Sequence, residues 1–242
     1  MSRRRKIEFL LGILFVGLPL VLMTGVRYIA SNVAYAEYQG DRMNMVEEQL
    51  VKRGIDSERV LDAFRKVPRH RFVPEEWRTR AYTDGPLPIG HDQTISQPYI
   101  VAYMTQVVEP DKGDRILEIG TGSGYQAAIL AQLVQEVYTV EIIPELAKTA
   151  ERRFEALGYE NITTRVGDGY QGWPKHAPFD IIIVTAAPSE VPPPLVEQLK
   201  EGGRMVIPVG EQYEQKLHVY EKTNGELQQI ATEAVRFVPL MD

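Results

Sequence analysis

The sequence predicts an α/β fold: a mostly parallel sheet flanked by helices, with an antiparallel hairpin at the C-terminal end. Three observations carry this. Residues 115–119 form an apolar strand pattern that breaks at Gly120-Thr121-Gly122-Ser123-Gly124, and apolar residues then run from Ala127 to Val134 with only Gln132 between them, as a helix packed on a sheet requires. Strand and helix patterns alternate from there to residue 209, the signature of parallel strands with crossover helices. Two further strand patterns, 216–222 and 228–238, flank Thr223-Asn224-Gly225, a hairpin signal.

The 242 residues suffice for one large domain plus a leader. The net charge of −6 argues against a broad nucleic-acid-binding surface. The absence of cysteine excludes disulfides, thiolate catalysis and cysteine-ligated zinc. The four histidines, His70, His91, His176 and His218, lack metal-ligand spacing, so no metal site is expected.

Residues 1–40 read as a hydrophobic leader and 41–242 as the globular domain. Arg3-Arg4-Arg5-Lys6 precedes 18 uncharged residues, 9–26, and Ala34-Tyr35-Ala36 has the small-x-small form of a signal-peptidase site. The segment is either a cleaved signal or an anchor associating with a membrane through residues 7–28. Its basic flank would put the rest of the chain outside the cytoplasm. Met43 and Met45 leave open an upstream extension from a misassigned start.

In the domain, Met45 and Leu50 suit an amphipathic helix ending near Gly54. Asp56 and Ser57 can cap a second helix, with Val60, Leu61 and Phe64 on one face and Pro68 beyond its end. Arg65, Lys66, Arg69, His70 and Arg71 read as a solvated basic helix end. Residues 85–95 read as a loop. It leads into Ser96-Gln97-Pro98, a helix start with Ser96 as N-cap and Pro98 in the first turn.

The glycine pattern is G-x-G-x-G followed by Tyr125, not the G-x-G-x-x-G of dinucleotide dehydrogenases. Glu118 precedes the first glycine by two residues, and Glu141 ends the next strand, where a carboxylate can accept from ribose hydroxyls. At a strand end, Glu141 is expected to serve binding rather than stability. Pro144 opens a helix that Gly158 closes. A third strand ends in Gly167-Asp168-Gly169, and a fourth, apolar but for Asp180, leads into Thr185-Ala186-Ala187-Pro188. Pro192-Pro193-Pro194 opens the last helix.

These residues resemble a Rossmann-like class I S-adenosylmethionine-dependent methyltransferase. Leu87-Pro88-Ile89-Gly90, Gln93-Thr94-Ile95-Ser96-Gln97-Pro98, Val67-Pro68-Arg69, Phe72-Val73-Pro74 and residues 234–240 narrow the resemblance to protein-L-isoaspartate O-methyltransferases, over about residues 43–240. The leader departs from that pattern. The resemblance implies S-adenosyl-L-methionine as methyl donor and isoaspartate-containing damaged proteins and peptides as substrates. It implies that Glu141 holds the ribose, Asp168 with Gly169 the adenine edge, and Glu118 with Gly120, Gly122, Ser123 and Gly124 the methionine part. It makes Ser96 the catalytic residue, with His91, Thr94 and Ile95 gripping the carboxylate and Val238 and Leu240 pairing with peptide backbone. Two other readings stay open: another carboxyl or O-methyltransferase of this fold, and a non-catalytic cofactor-binding or membrane-tethered protein. Cofactor supply favours the cytoplasm, against the export that the leader implies.

Overall fold

The computed structural model describes residues 38–211 and 214–241. The leader, with residues 7–28 and Ala34-Tyr35-Ala36, lies outside them.

Helix α1 (Gln39–Met45) continues through a wide π turn (Val46–Leu50) and a tight 3-10 turn (Val51–Arg53), and stops at Gly54 in the left-handed conformation. Helix α2 spans Glu58–Lys66 and buries Val60, Leu61 and Phe64. Its expected side-chain cap is absent. Gln106 performs that task from 49 residues away, its Oε1 accepting from the backbone N–H groups of Asp56 and Ser57, each at 2.9 Å.

The supposed loop at 85–95 is a small antiparallel hairpin: β1 (Leu87–Gly90) pairs with β2 (Gln93–Ile95). His91 and Asp92 turn it with φ of 54° and 55°, the paired left-handed conformation of a type I′ turn. Helix α3 (Pro98–Val107) follows. Its cap is Gln97, and Ser96 lies one residue further out, so the expected N-cap role of Ser96 does not hold.

The main sheet contains β3 (Arg115–Ile119), β4 (Glu136–Glu141), β5 (Ile162–Val166), β6 (Phe179–Val184), β7 (Leu199–Val209), β8 (Lys216–Thr223) and β9 (Glu226–Ala234). Their order is β5-β4-β3-β6-β7-β8-β9, parallel from β5 to β7 and antiparallel beyond. The chain runs outward from β3 to β5, then returns to β6 on the other side of β3. That reversal leaves a crevice at the carboxyl ends of β3 and β6.

Alternation along the strands divides the core into two faces. Ile116, Val137, Ile181, Ile183 and Val206 join one cluster with α1–α3, with helix α4 (Tyr125–Leu130) and with helix α5 (Pro144–Leu157). Leu117, Tyr138, Val140, Ile182, Val184 and Met205 join a second with Trp173 and Leu195 of helix α6 (Pro193–Gln198). Helix α4 is shorter than the apolar run to Val134 implied, because the chain tightens into turns after Leu130. Helix α5 follows its signals closely, from Pro144 to Gly158 in the left-handed conformation.

The basic segment after α2 is not a solvated helix end. Arg69 and His70 are fully buried and hydrogen-bonded within the core. The closing hairpin is also shorter than expected. Strand β9 stops at Ala234, and the tail crosses back to β6, held by both amide atoms of Gln215 at Phe237 (3.1 and 2.6 Å) and by Ala187.

Candidate active site

The crevice at the ends of β3, β4 and β6 is a cleft. The glycine loop, Val140, Glu141, Ile142, Gly169, Thr185 and residues 238–241 line it, and Gln93, Thr94, Ile95 and Ser96 line its opposite wall. The loop is fixed on every side. Gly120 N–H donates to Val140 O at 2.8 Å, and Thr185 donates its backbone N–H to Ile119 O at 2.9 Å and its hydroxyl to Gly120 O at 2.7 Å. Gly120 has φ 94°, and a Cβ there would collide with the Thr185 hydroxyl, so this turn requires glycine. The atom nearest to a Cβ on Gly122 would be Ile89 Cδ1, at 3.5 Å, so the β1–β2 hairpin reaches over the loop.

Glu141 is 5% exposed, and both its oxygens are engaged: Oε2 accepts from Gly122 N–H at 2.7 Å and Oε1 from Ile143 N–H at 3.0 Å. The expectation that it serves binding alone is therefore revised, since it also ties the glycine loop to the end of β4. Each oxygen keeps a second lone pair for a ligand hydroxyl.

Glu118 sits beneath the loop rather than in the cleft lining. It is fully buried and accepts from the Thr139 hydroxyl, which is 2.6 Å from the Thr121 hydroxyl in the lining. Burial pushes its carboxyl up to about 8; the Thr139 hydroxyl pulls the other way, and the Glu141 charge pushes it further up.

Several expected residues sit elsewhere. Gly124 is turned to Phe154 and Ala150 of α5 and lets that helix approach. Asp168 is half-buried beside the cleft, its Oδ1 accepting from Tyr170 N–H at 2.8 Å, and only its neighbour Gly169 joins the lining. His91 is exposed at the hairpin turn, away from the lining. Val238 and Leu240 line the cleft, and one backbone group of each is taken by Ala187: Val238 O accepts from Ala187 N–H at 2.8 Å and Leu240 N–H donates to Ala187 O at 2.9 Å. Ser123, Thr94, Ile95 and Ser96 lie in the walls of the cleft.

Sequence reasoning missed Thr185, Gln126 and Met104, which also line the cleft. Thr185 was findable, because it is the first residue beyond a central parallel strand, where ligands of open α/β sheets bind. Gln126, held by Thr105 at 2.9 Å, gives no local signal.

The cleft fits a nucleoside carrying a cationic chain. Among the described residues, Glu141 is the single charged side chain in its lining, Thr121 and Ser123 offer hydroxyls, and Val140, Ile142 and Leu240 supply apolar walls. Among the described residues, too, no group of three His, Asp or Glu side chains is placed to hold a metal.

The model of the protein-L-isoaspartate(D-aspartate) O-methyltransferase family matches residues 41–242. The chain belongs to that family. The family enzyme of Gloeobacter violaceus is 59% identical over 197 residues, covering 81% of this chain and 96% of its own. That of Opitutus terrae is 55% identical over 223 residues, covering 92% and 94%. A solved protein-L-isoaspartate O-methyltransferase superposes with a TM-score of 0.76 at 33% identity, covering 83% of this chain and 66% of that one. A putative family member from Plasmodium falciparum, solved in complex with S-adenosyl-L-homocysteine, gives 0.71 at 28% identity, covering 83% and 98%. The activity of the family is S-adenosylmethionine-dependent methyl transfer to isoaspartyl residues of proteins.

The raised Glu118 carboxyl makes stability depend on pH. From the ordinary glutamate value of 4.5 up to about 8, the folded protein holds a proton that the unfolded chain has released. Stability then falls as pH rises through that window, by up to ~1.4 kcal/mol per pH unit, and levels off above it. In Glu118→Gln this loss is gone. Urea unfolding of both proteins should show the variant gaining on wild type from about pH 5 to about pH 8. Parallel curves would contradict the protonated state of Glu118.

Proposed function

We propose that this chain methylates the free α-carboxylate of isoaspartyl residues in damaged proteins and so starts their repair, with the cofactor held across the ends of β3 and β4. What carries the reading is the meeting of two motifs that lie apart in sequence: Thr94, Ile95 and Ser96 line the same cleft as the glycine loop and Glu141.

In this reading Glu141 accepts from the ribose hydroxyls through its remaining lone pairs. Asp168, with one oxygen on Tyr170 N–H, offers the other to the adenine edge, between Gly169 and Ile142. Thr121, Gly122 and Ser123 border the methionine part. Glu118 and Gly124 support from behind rather than by contact. The cofactor supplies an electrophilic methyl on a sulfonium centre. The chain has only to hold an acceptor oxygen in line with it and exclude water, which is proximity catalysis. The acceptor carboxylate is already ionised at neutral pH, so no general base is required. The Ser96 hydroxyl donates to the carboxylate and orients it. The adjacent backbone amide nitrogen of the substrate then attacks the ester carbonyl, closing a succinimide with loss of methanol, and water reopens the ring partly to aspartate.

The peptide runs along a groove that shares Thr94, Ser96 and Thr185 with the cleft and is walled by Pro86, Asp92 and Phe237. Val238 and Leu240 then contribute side chains instead of backbone, and His91 stands at the rim. A second reading, another carboxyl methyltransferase of this fold, leaves the Thr94–Ser96 wall without a task.

Residues 1–40 form the leader and 41–242 the catalytic domain in this reading, with catalysis in the cytoplasm, where the cofactor is made. Among the described residues, no helix is long and apolar enough to cross a membrane. Fractionation with N-terminal sequencing of the native protein should find the enzyme with the cytoplasmic or membrane fraction. A periplasmic species beginning at Glu37 would overturn this.

Paired peptides differing only in aspartate or isoaspartate test the chemistry. Moving one methylene displaces the acceptor oxygen by more than an ångström, so labelled methyl should reach the isoaspartyl peptide at least about 100-fold faster. Ser96→Ala should slow that transfer with S-adenosylhomocysteine affinity unchanged. Equal labelling of both peptides would leave only a general carboxyl methyltransferase.

A further inference from the structure

The cleft must receive a carboxylate, yet its one charged lining side chain among the described residues is the acid Glu141. Behind the opposite wall lies a cation. Arg69 is fully buried; its Nε donates to Ala81 O and its Nη2 to Ser96 O, both at 2.8 Å. Its guanidinium stands 4.9 Å above the ring of Tyr125, the residue that follows the glycine loop. Its Nη1 has no hydrogen-bond acceptor among the described residues, and the ionisable groups that face it there are the phenols of Tyr125 and Tyr82, with no carboxylate against it. Burial holds the guanidinium down, at about 10, so it remains a cation at neutral pH.

A buried charge without a counter-ion is costly. Tying segments together does not require it, since neutral donors do that at lower cost. The Ser96–Gln97 peptide is trans, the one cis bond among the described residues being Ala177-Pro178. With its carbonyl drawn to Arg69, its N–H is aimed to the opposite side. Beyond it, α3 begins with Pro98, and its first amides have no partner within the helix.

We infer that Arg69 is a positioning residue. By holding the Ser96 carbonyl from inside, it turns the Ser96–Gln97 peptide toward the acceptor carboxylate, and its unneutralised charge makes the site select an anionic acceptor over a neutral one. This rests on the proposed reading of Ser96 as the residue that faces the carboxylate.

The test compares an isoaspartyl peptide with the same peptide carrying an α-carboxamide, through KM and competitive inhibition, in wild type, Arg69→Met and Arg69→Lys. Calorimetry of S-adenosylhomocysteine is run on each protein. Wild type should prefer the carboxylate by about tenfold or more, the scale of a hydrogen bond to a charged group. In Arg69→Met the preference should shrink to within about twofold, with cofactor affinity changed by less than about threefold. Arg69→Lys keeps the charge and should retain most of the preference while lowering kcat. Should Arg69→Met not fold, Arg69→Gln, neutral and still polar, takes its place. Ser96→Ala keeps the backbone and should keep the preference while losing rate; an unaffected rate would refute the Ser96 reading and leave the Arg69 measurement standing. No preference in wild type, or a wild-type preference in a folded neutral Arg69 variant, overturns the inference.

Discussion

The carboxylate of Glu141 holds the site together. One oxygen takes the N–H of Gly122 and the other the N–H of Ile143, so the middle of the glycine loop is fastened to the end of β4. Thr185 locks the start of the same loop from β6, and the Thr121–Thr139–Glu118 chain holds it from below. A loop with three glycines at positive φ loses much chain entropy on ordering. These polar ties, made where water is excluded, offset that loss and present the loop in a single shape. The sheet exists to bring those anchors together: β3, β4 and β6 can align at their carboxyl ends because both faces of the strands are buried.

Charge divides the site along the same lines. Among the described residues, Glu141 is the one charged side chain of the lining, on the glycine-loop side; Arg69 carries the opposite charge behind the Thr94–Ser96 wall. In the proposed reading the acceptor anion is thus met by the opposite sign from outside the reacting line. The groups are fixed by hydrogen bonds to backbone, so little reorganisation is needed as charge moves during transfer.

Local signals and non-local ones had different fates in the sequence. Helix α5 was legible because Pro144 and Gly158 mark its ends chemically, and β6 because five of its six residues are apolar. The glycine loop and Glu141 were legible because spacing alone places them at strand ends. The β1–β2 hairpin was not, because Pro86, Pro88 and Gly90 look like loop punctuation and the strands hold only four and three residues. Arg69 and His70 were misread as solvated because a charged residue is usually exposed, and only tertiary packing reveals acceptors at Ala81 and Ser96. Ser57 lost its cap to Gln106, and Val238 and Leu240 each gave one backbone group to Ala187, both by contacts across long stretches of chain. Residue type and spacing located the cleft; the ties that hold its walls are long-range and leave no pattern in a single sequence.

The central claim is that one carboxylate both fastens the glycine loop and receives the ribose. Calorimetric titration of S-adenosylhomocysteine into wild type and Glu141→Gln, each checked for unfolding free energy, tests it most directly. The amide keeps the size of the side chain but removes its charge and leaves one of the two backbone N–H groups facing a donor instead of an acceptor. Affinity should fall by about 10- to 150-fold, and stability should fall with it by about 1–3 kcal/mol. A variant that binds the cofactor as wild type does, or loses affinity with no loss of stability, would contradict the account.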